Sequence, residues 1–135
     1  NGPHGLSAYV SYGYTDAKIT KDEVLPVGDH LQNTPRNAGR IWVVWAPPAG
    51  ALKGWRFGGG GYAADTRPGT LPNSYSLPGY QTLDAMVARD FGRWSVQLNL
   101  KNLTDRRYYS SSGVYQEGVF PGEPFTAQLS LRAVY

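Results

Sequence analysis

The sequence predicts an all-β fold built as an antiparallel six-stranded meander. Three observations carry that expectation. Stretches of apolar/polar alternation recur along the chain, the period of a strand with one dry and one wet face. Gly occurs 17 times and Pro 10 times, which suits many turns and argues against a helical bundle. Pro26, Pro35, Pro47, Pro48, Pro68, Pro72, Pro78, Pro121 and Pro124 fall in or beside the segments between those stretches, as expected where a central strand cannot spare an amide.

The first strand is expected over 6–16, where Leu6, Ala8, Val10, Tyr12 and Tyr14 alternate with Ser7, Tyr9, Ser11, Gly13 and Thr15. The second, 38–46, puts Ile41, Val43 and Trp45 on one face and Trp42 and Val44 on the other. The third, 54–64, sets Trp55, Phe57, Gly59, Gly61 and Ala63 against Arg56, Gly58, Gly60 and Tyr62. The fourth, 79–91, places Leu83, Ala85, Val87 and Phe91 opposite Asp84, Met86 and Asp90, with Arg89 interrupting the apolar row. In the fifth, 93–102, Trp94, Val96, Leu98 and Leu100 alternate with Ser95, Gln97, Asn99 and Lys101. The sixth, 123–135, has Phe125, Ala127, Leu129, Leu131, Ala133 and a terminal Tyr135 on one face.

The connections between these strands, near 18–37, 47–53, 65–78, Gly92 and 103–123, alternate long and short. Consecutive antiparallel strands put alternate connections on opposite sides, so this sorting fits a transmembrane barrel with short periplasmic turns and long outer loops. No run reaches the roughly 18 apolar residues a transmembrane helix needs. A barrel strand exposes only every second residue to lipid, so it leaves no such run.

Composition removes several function classes. The net charge is +3 and the basic residues are scattered, so no phosphate-binding stripe points to nucleic acid. There are no cysteines, which excludes disulfides, thiolate metal sites and a cysteine nucleophile. His4 and His30 lie far apart without metal-ligand spacing, and no Gly-x-Ser-x-Gly elbow exists. The Gly58–Gly61 run lacks the following Lys-Ser/Thr of a phosphate cradle and reads as tight curvature or close approach of another backbone. No catalytic residue, cofactor or metal is expected, and the chain is not expected to be an enzyme. The N-terminal Asn1-Gly2-Pro3-His4 carries no export signal, so the chain reads as mature or cut from something longer.

Four motifs then narrow the class. Lys101-Asn102-Leu103-Thr104-Asp105-Arg106-Arg107-Tyr108-Tyr109 resembles the penultimate-strand exit of TonB-dependent receptors. Leu77-Pro78-Gly79-Tyr80 followed by Leu83-Asp84-Ala85-Met86, and Asn33-Thr34-Pro35-Arg36-Asn37, are similar to strand approaches of that family. Pro121-Gly122-Glu123-Pro124-Phe125 stands before the last strand, with Phe125 where the family often has Arg. The resemblance covers nearly the whole chain and fits the ferric-siderophore branch. It implies that residues 1–135 are the closing segment of a large transmembrane β-barrel, of about 22 strands with a plugged lumen. The plug domain and signal peptide would then be absent. The implied partners are a ferric siderophore through the full receptor, outer-membrane lipid, the barrel-assembly machinery through Tyr135, and TonB only through a missing N-terminal segment. The expected location is the bacterial outer membrane.

Within that reading, Arg67, Tyr75, Tyr80, Tyr108, Tyr109 and Tyr115 are candidate ligand contacts, because guanidinium and aromatic faces suit an anionic ferric chelate. Packing of loop tyrosines against one another is the alternative for each. Trp45, Trp55, Trp94 and Tyr135 are candidate membrane-interface aromatics, with ordinary core packing as the alternative. Asn102, Asp105, Arg106 and Pro35 read as turn formers or their neighbours. Two other architectures compete: a self-contained secreted β-sandwich or small-barrel binding module, and a porin-like passive channel. The isolated chain, with two open edges and an apolar face, is expected to oligomerise in water.

Overall fold

The computed structural model describes residues 4–113 and 118–134. Its main sheet has six antiparallel strands: β1 (Leu6–Tyr14), β2 (Asn37–Trp45), β3 (Trp55–Ala64), then β6 (Tyr80–Phe91), β7 (Trp94–Lys101) and β10 (Thr126–Ala133). Each pairs with the next along the chain, which is the expected meander. Two short hairpin ladders lie in the loops, β4 (Arg67–Pro68) with β5 (Ser76–Leu77) and β8 (Tyr109–Ser112) with β9 (Val119–Pro121). The last main strand starts at Thr126, later than expected. Pro124 has no amide to contribute, and Phe125 donates its amide to the Asp105 carboxylate at 3.0 Å.

Directly opposed residues of an antiparallel pair share a face, so the register sorts the side chains. Leu98 opposes both Leu129 and Val87, Phe57 opposes Val87 and Trp45, and Val10 opposes Ile41. This outer face is apolar from edge to edge, with Arg89 as the single charged residue at an outward strand position. The opposite face carries Ser7, Ser11, Arg40, Thr82, Asp84, Gln97, Asn99, Lys101, Gln128 and Arg132.

Almost none of the apolar surface is buried within the chain. Among the described residues, Ala64, Leu77 and Ala88 are the buried hydrophobic ones, whereas Leu129 is 72% and Val10 69% exposed. A β-sandwich would need a second sheet packed about 10 Å away. The other described sheets are two-stranded loop ladders, so the sandwich alternative is overturned. An apolar face of this extent is a surface for lipid.

At Gly60 the glycine run meets the expected close approach of another backbone, here that of the neighbouring strand β2: a Cβ there would collide with the Ile41 carbonyl oxygen. A Cβ on Gly60 would stand 2.7 Å from the Trp42 ring, and one on Gly58 would stand 3.0 Å from it. Gly58 and Gly60 therefore make room for an indole of the adjacent strand, which lies across them on the inner face. The approaching groups all belong to this sheet: the β2 backbone and the Trp42 ring at Gly60, and the Trp42 and Met86 side chains at Gly58.

The three long connections pack together into a cap. In the first, Lys18 bridges His30, and Ile19 donates to the Asp29 carbonyl at 2.9 Å. Asn33 then joins it to both other loops. Its amide donates to the Pro68 carbonyl at 2.9 Å, its Nδ2 to the Ser112 carbonyl at 3.0 Å, and its Oδ1 accepts the Ser112 amide at 2.8 Å. Ser112 Oγ donates to the Gly69 carbonyl. Asn73 reaches back to the first loop, donating Nδ2 to the His30 carbonyl and accepting the His30 amide, at 2.9 and 2.8 Å.

Candidate functional site

Below the cap, the inner face holds a concavity of about 530 Å³ lined by Arg40, Tyr62, Tyr80, Thr82, Asp84, Lys101, Asn102, Tyr108 and Glu123. Strand alternation supplies most of it: Arg40, Tyr62, Thr82, Asp84 and Lys101 all point inward near the long-loop ends of β2, β3, β6 and β7. Tyr108 enters from the third loop, its hydroxyl accepting the Glu123 amide at 3.2 Å. The Tyr108 and Tyr80 rings stack at 4.2 Å and 16°, and Tyr62 tilts against Tyr80 at 5.7 Å.

Cations border these rings. Arg40 lies over Tyr62 at 5.6 Å and Arg67 over Tyr80 at 5.3 Å. Lys101 is within 3.5 Å of Glu123. Arg67 itself is only 3% exposed, and its Nη2 donates to the Tyr109 and Ser110 carbonyls. It pins the second loop to the third, while its Nη1 is buried without a hydrogen-bond partner among the described residues.

The six candidate contacts thus separate. Arg67, Tyr80 and Tyr108 come together. Tyr75 packs over Gly69 inside the cap. Tyr109 is half exposed and lines a neighbouring cleft with Arg106, Arg107 and Pro121. Tyr115 lies outside the described residues. Sequence reasoning missed Arg40, Tyr62, Asp84 and Lys101. The available signal was alternation: each is a polar or aromatic residue on the wet face of an expected strand, near its long-loop end.

The turn that closes this site is built by its motif. Asn102 (φ 50°) and Asp105 (φ 47°) both adopt the left-handed region that Asn and Asp tolerate better than most residues. Asn102 is buried. Its Nδ2 donates to the carbonyls of Arg106 and Glu123 at 2.9 and 3.0 Å, and its Oδ1 accepts the Arg106 amide at 3.0 Å. With Asp105 on Phe125, this clasp ties the β7 exit to the start of β10.

At the other end of the sheet, Trp45, Trp55 and Trp94 lie on the outer face beside the short turns. Trp45 stacks on Phe57 at 5.7 Å, and Trp55 on Phe57 at 5.8 Å. Arg89 sits between Trp55 and Phe91, at 4.9 and 4.4 Å from their centroids. Tyr135 lies outside the described residues.

The comparisons with known proteins bear on this architecture. The family model of the TonB-dependent receptor-like β-barrel matches residues 1–103. The chain is 32% identical over 127 residues to the metal-pseudopaline receptor CntO of Pseudomonas aeruginosa, covering 93% of this chain and 18% of that protein. It is 32% identical over 106 residues to the ferrichrome outer membrane transporter/phage receptor of Escherichia coli, covering 75% of this chain and 14% of that protein. The crystal structure of the siderophore receptor PiuA from Acinetobacter baumannii has the same fold, with a TM-score of 0.80 at 22% identity over 96% of this chain and 19% of that one. The chain thus spans less than a fifth of the length of these curated relatives. A lipid-facing meander, loops sorted by side and the family match over residues 1–103 lead to one conclusion: this chain belongs to the TonB-dependent receptor-like β-barrel family and is a section of an outer-membrane barrel wall.

Proposed function

We propose that the receptor containing this section imports ferric siderophores by TonB-coupled active transport, without catalysis, and that the Tyr62–Tyr80–Tyr108 concavity lies on the substrate path. The observation that carries this reading is the placement of stacked tyrosines with Arg40 and Lys101 on the polar face, under the long loops, with Arg67 of the second loop over the Tyr80 ring. Rings offer π faces to a chelate, and the cations offer charge to an anionic one. Motif order supports a place at the closing end of the barrel. In this reading the assembly machinery engages Tyr135, while the plug and the TonB-contacting segment belong to other parts of the receptor.

The test is uptake of radiolabelled ferric chelates by cells carrying the full-length receptor. The panel should include ferrichrome and a metal–pseudopaline chelate, the ligands named for its relatives. Tyr80→Ala combined with Tyr108→Ala should lower uptake of the preferred chelate at least tenfold at sub-saturating concentration, with surface expression unchanged. Unchanged uptake across the panel would remove the concavity from the path. Loss of TonB should abolish uptake. Uptake that persists without TonB would point to a passive channel.

A further inference from the structure

We propose that Arg89, with the rings of Trp55 and Phe91, forms a binding site for the phosphate of an anionic phospholipid in the periplasmic leaflet. This inference rests on the outer-membrane placement of the sheet and is independent of what the receptor transports.

Four observations converge on the site. Arg89 is the one charged residue at an outward strand position, opposed by Trp55 on β3 and by Val96 on β7. Its guanidinium is held between Trp55 and Phe91, at 4.9 and 4.4 Å from the ring centroids. Rings that cover the faces of a guanidinium leave its planar N–H edge as the donor surface, and that fork matches a phosphate. No carboxylate occupies the edge. Asp90, the one acid in or beside the short turns, points to the inner face and pairs with Arg56 at 3.3 Å. Among the described residues no acid is paired with Arg89.

Depth fits the same ligand. Arg89 lies three residues before Gly92, which at about 3.3 Å rise per residue and a tilt of about 40° puts it within roughly 8 Å of the turn along the membrane normal. That is headgroup depth, not mid-membrane. Net charge favours an anionic lipid over a zwitterionic one. Lys53 and Arg93 lie exposed in the two short turns on either side, and the Asp90 amide bonded to the Gly54 carbonyl at 2.9 Å holds the first turn against β6. A phosphate on Arg89 would therefore meet a cationic surround with no free acid.

Native mass spectrometry of the detergent-solubilised full-length receptor, with phosphatidylglycerol or phosphatidylethanolamine added, tests this. The unaltered receptor should retain phosphatidylglycerol at least fivefold more than phosphatidylethanolamine. Arg89→Gln should lower phosphatidylglycerol retention at least fivefold. Arg89→Lys, which keeps the charge but loses the fork, should fall between. Arg132→Gln, at the same end but on the inner face, should leave retention unchanged. Equal retention of the two lipids by the unaltered receptor overturns the proposal. So does an Arg89→Gln receptor that binds as the native one does, or an equal loss in Arg132→Gln. Should Arg89→Gln fail to assemble, the native lipid ratio and Arg89→Lys decide instead: Arg89→Lys retention equal to that of the unaltered receptor overturns the proposal. No chelate is present in this experiment, so its failure leaves the transport reading standing.

Discussion

A few polar side chains decide the geometry of the outer end of the sheet. The Asn102 side chain makes three hydrogen bonds, all to backbone, so Asn102→Ala would strand two carbonyls and one amide around a buried position. The expected loss is on the order of 3 kcal/mol, read in the full-length receptor as a lower unfolding temperature of the barrel on heat-modifiability gels. Asn102→Gly separates the causes: it relieves the left-handed backbone yet should remain strongly destabilised if hydrogen bonding dominates. Gly60 tests this close packing in the same assay. Gly60→Ala should cost about 1–3 kcal/mol by overpacking against the Ile41 carbonyl and Trp42, whereas Gly13→Ala, with open space around its Cβ, should be near neutral. Equal shifts for the two glycine variants would remove close packing against β2 as the reason for the run. In the first loop, Asp16 accepts from Lys18 at 3.1 Å, and that hydrogen bond foremost holds its carboxyl below the usual value against the opposing desolvation. A depressed acid stabilises the fold above its unfolded value and loses that contribution as pH falls through the folded one. The Asp16–Lys18 contact should therefore persist at neutral pH and release only in the acid range below about 4, as followed by carboxyl chemical shifts.

At the level of strands, facing is the property with the largest consequence. Leu98 lies on the outer face between Leu129 and Val87, while Gln97 lies on the inner face opposite Ser130 and Ala88. Leu98→Arg in the full receptor should impair assembly by roughly 2–4 kcal/mol if the position is near the midplane. Gln97→Ala should be mild, because a lumen-facing position keeps its solvent. Similar heat-modifiability shifts for the two would show that the faces are assigned wrongly. Arg89 escapes this penalty by its place near the strand end, between two rings. The loops behave as elements too: each contains its own short pairing, and Asn33, Ser112 and Arg67 bind them to one another. The long connections, which the sequence marked only as long outer loops, are therefore a folded cap.

For the whole molecule, the sheet leaves β1 and β10 as open edges and its apolar face uncovered. Each edge carries unpaired N–H and C=O groups that recruit partners. β10 has little charge to prevent it, since Thr126, Gln128 and Ser130 are neutral and Arg132 alone is charged among Thr126–Ala133. The 135-residue polypeptide alone in water should therefore sediment as an oligomer at low micromolar concentration, with residues 126–133 protected from hydrogen exchange. A stable monomer under those conditions would contradict the lipid-facing assignment of the outer face.

The sequence by itself determined the six strands of the main sheet, their order and their faces, because alternation with period two is a local property that lipid on one side and polar surroundings on the other impose residue by residue. The left-handed turn at Asn102 and Asp105 was legible for the same reason, since Asx side chains act on nearby backbone. The tertiary structure alone decided which residues meet. Arg40, Tyr62 and Lys101 come from three different strands, and only the register brings them beside Tyr108 of a loop. Arg67 read as a candidate ligand contact, yet burial against two carbonyls from another loop makes it a staple. Arg89 read as an interruption of an apolar row, and becomes intelligible once Trp55 lies opposite it across the ladder. Long-range register and loop-to-loop hydrogen bonds are fixed by contacts distant in sequence, and no local pattern encodes them.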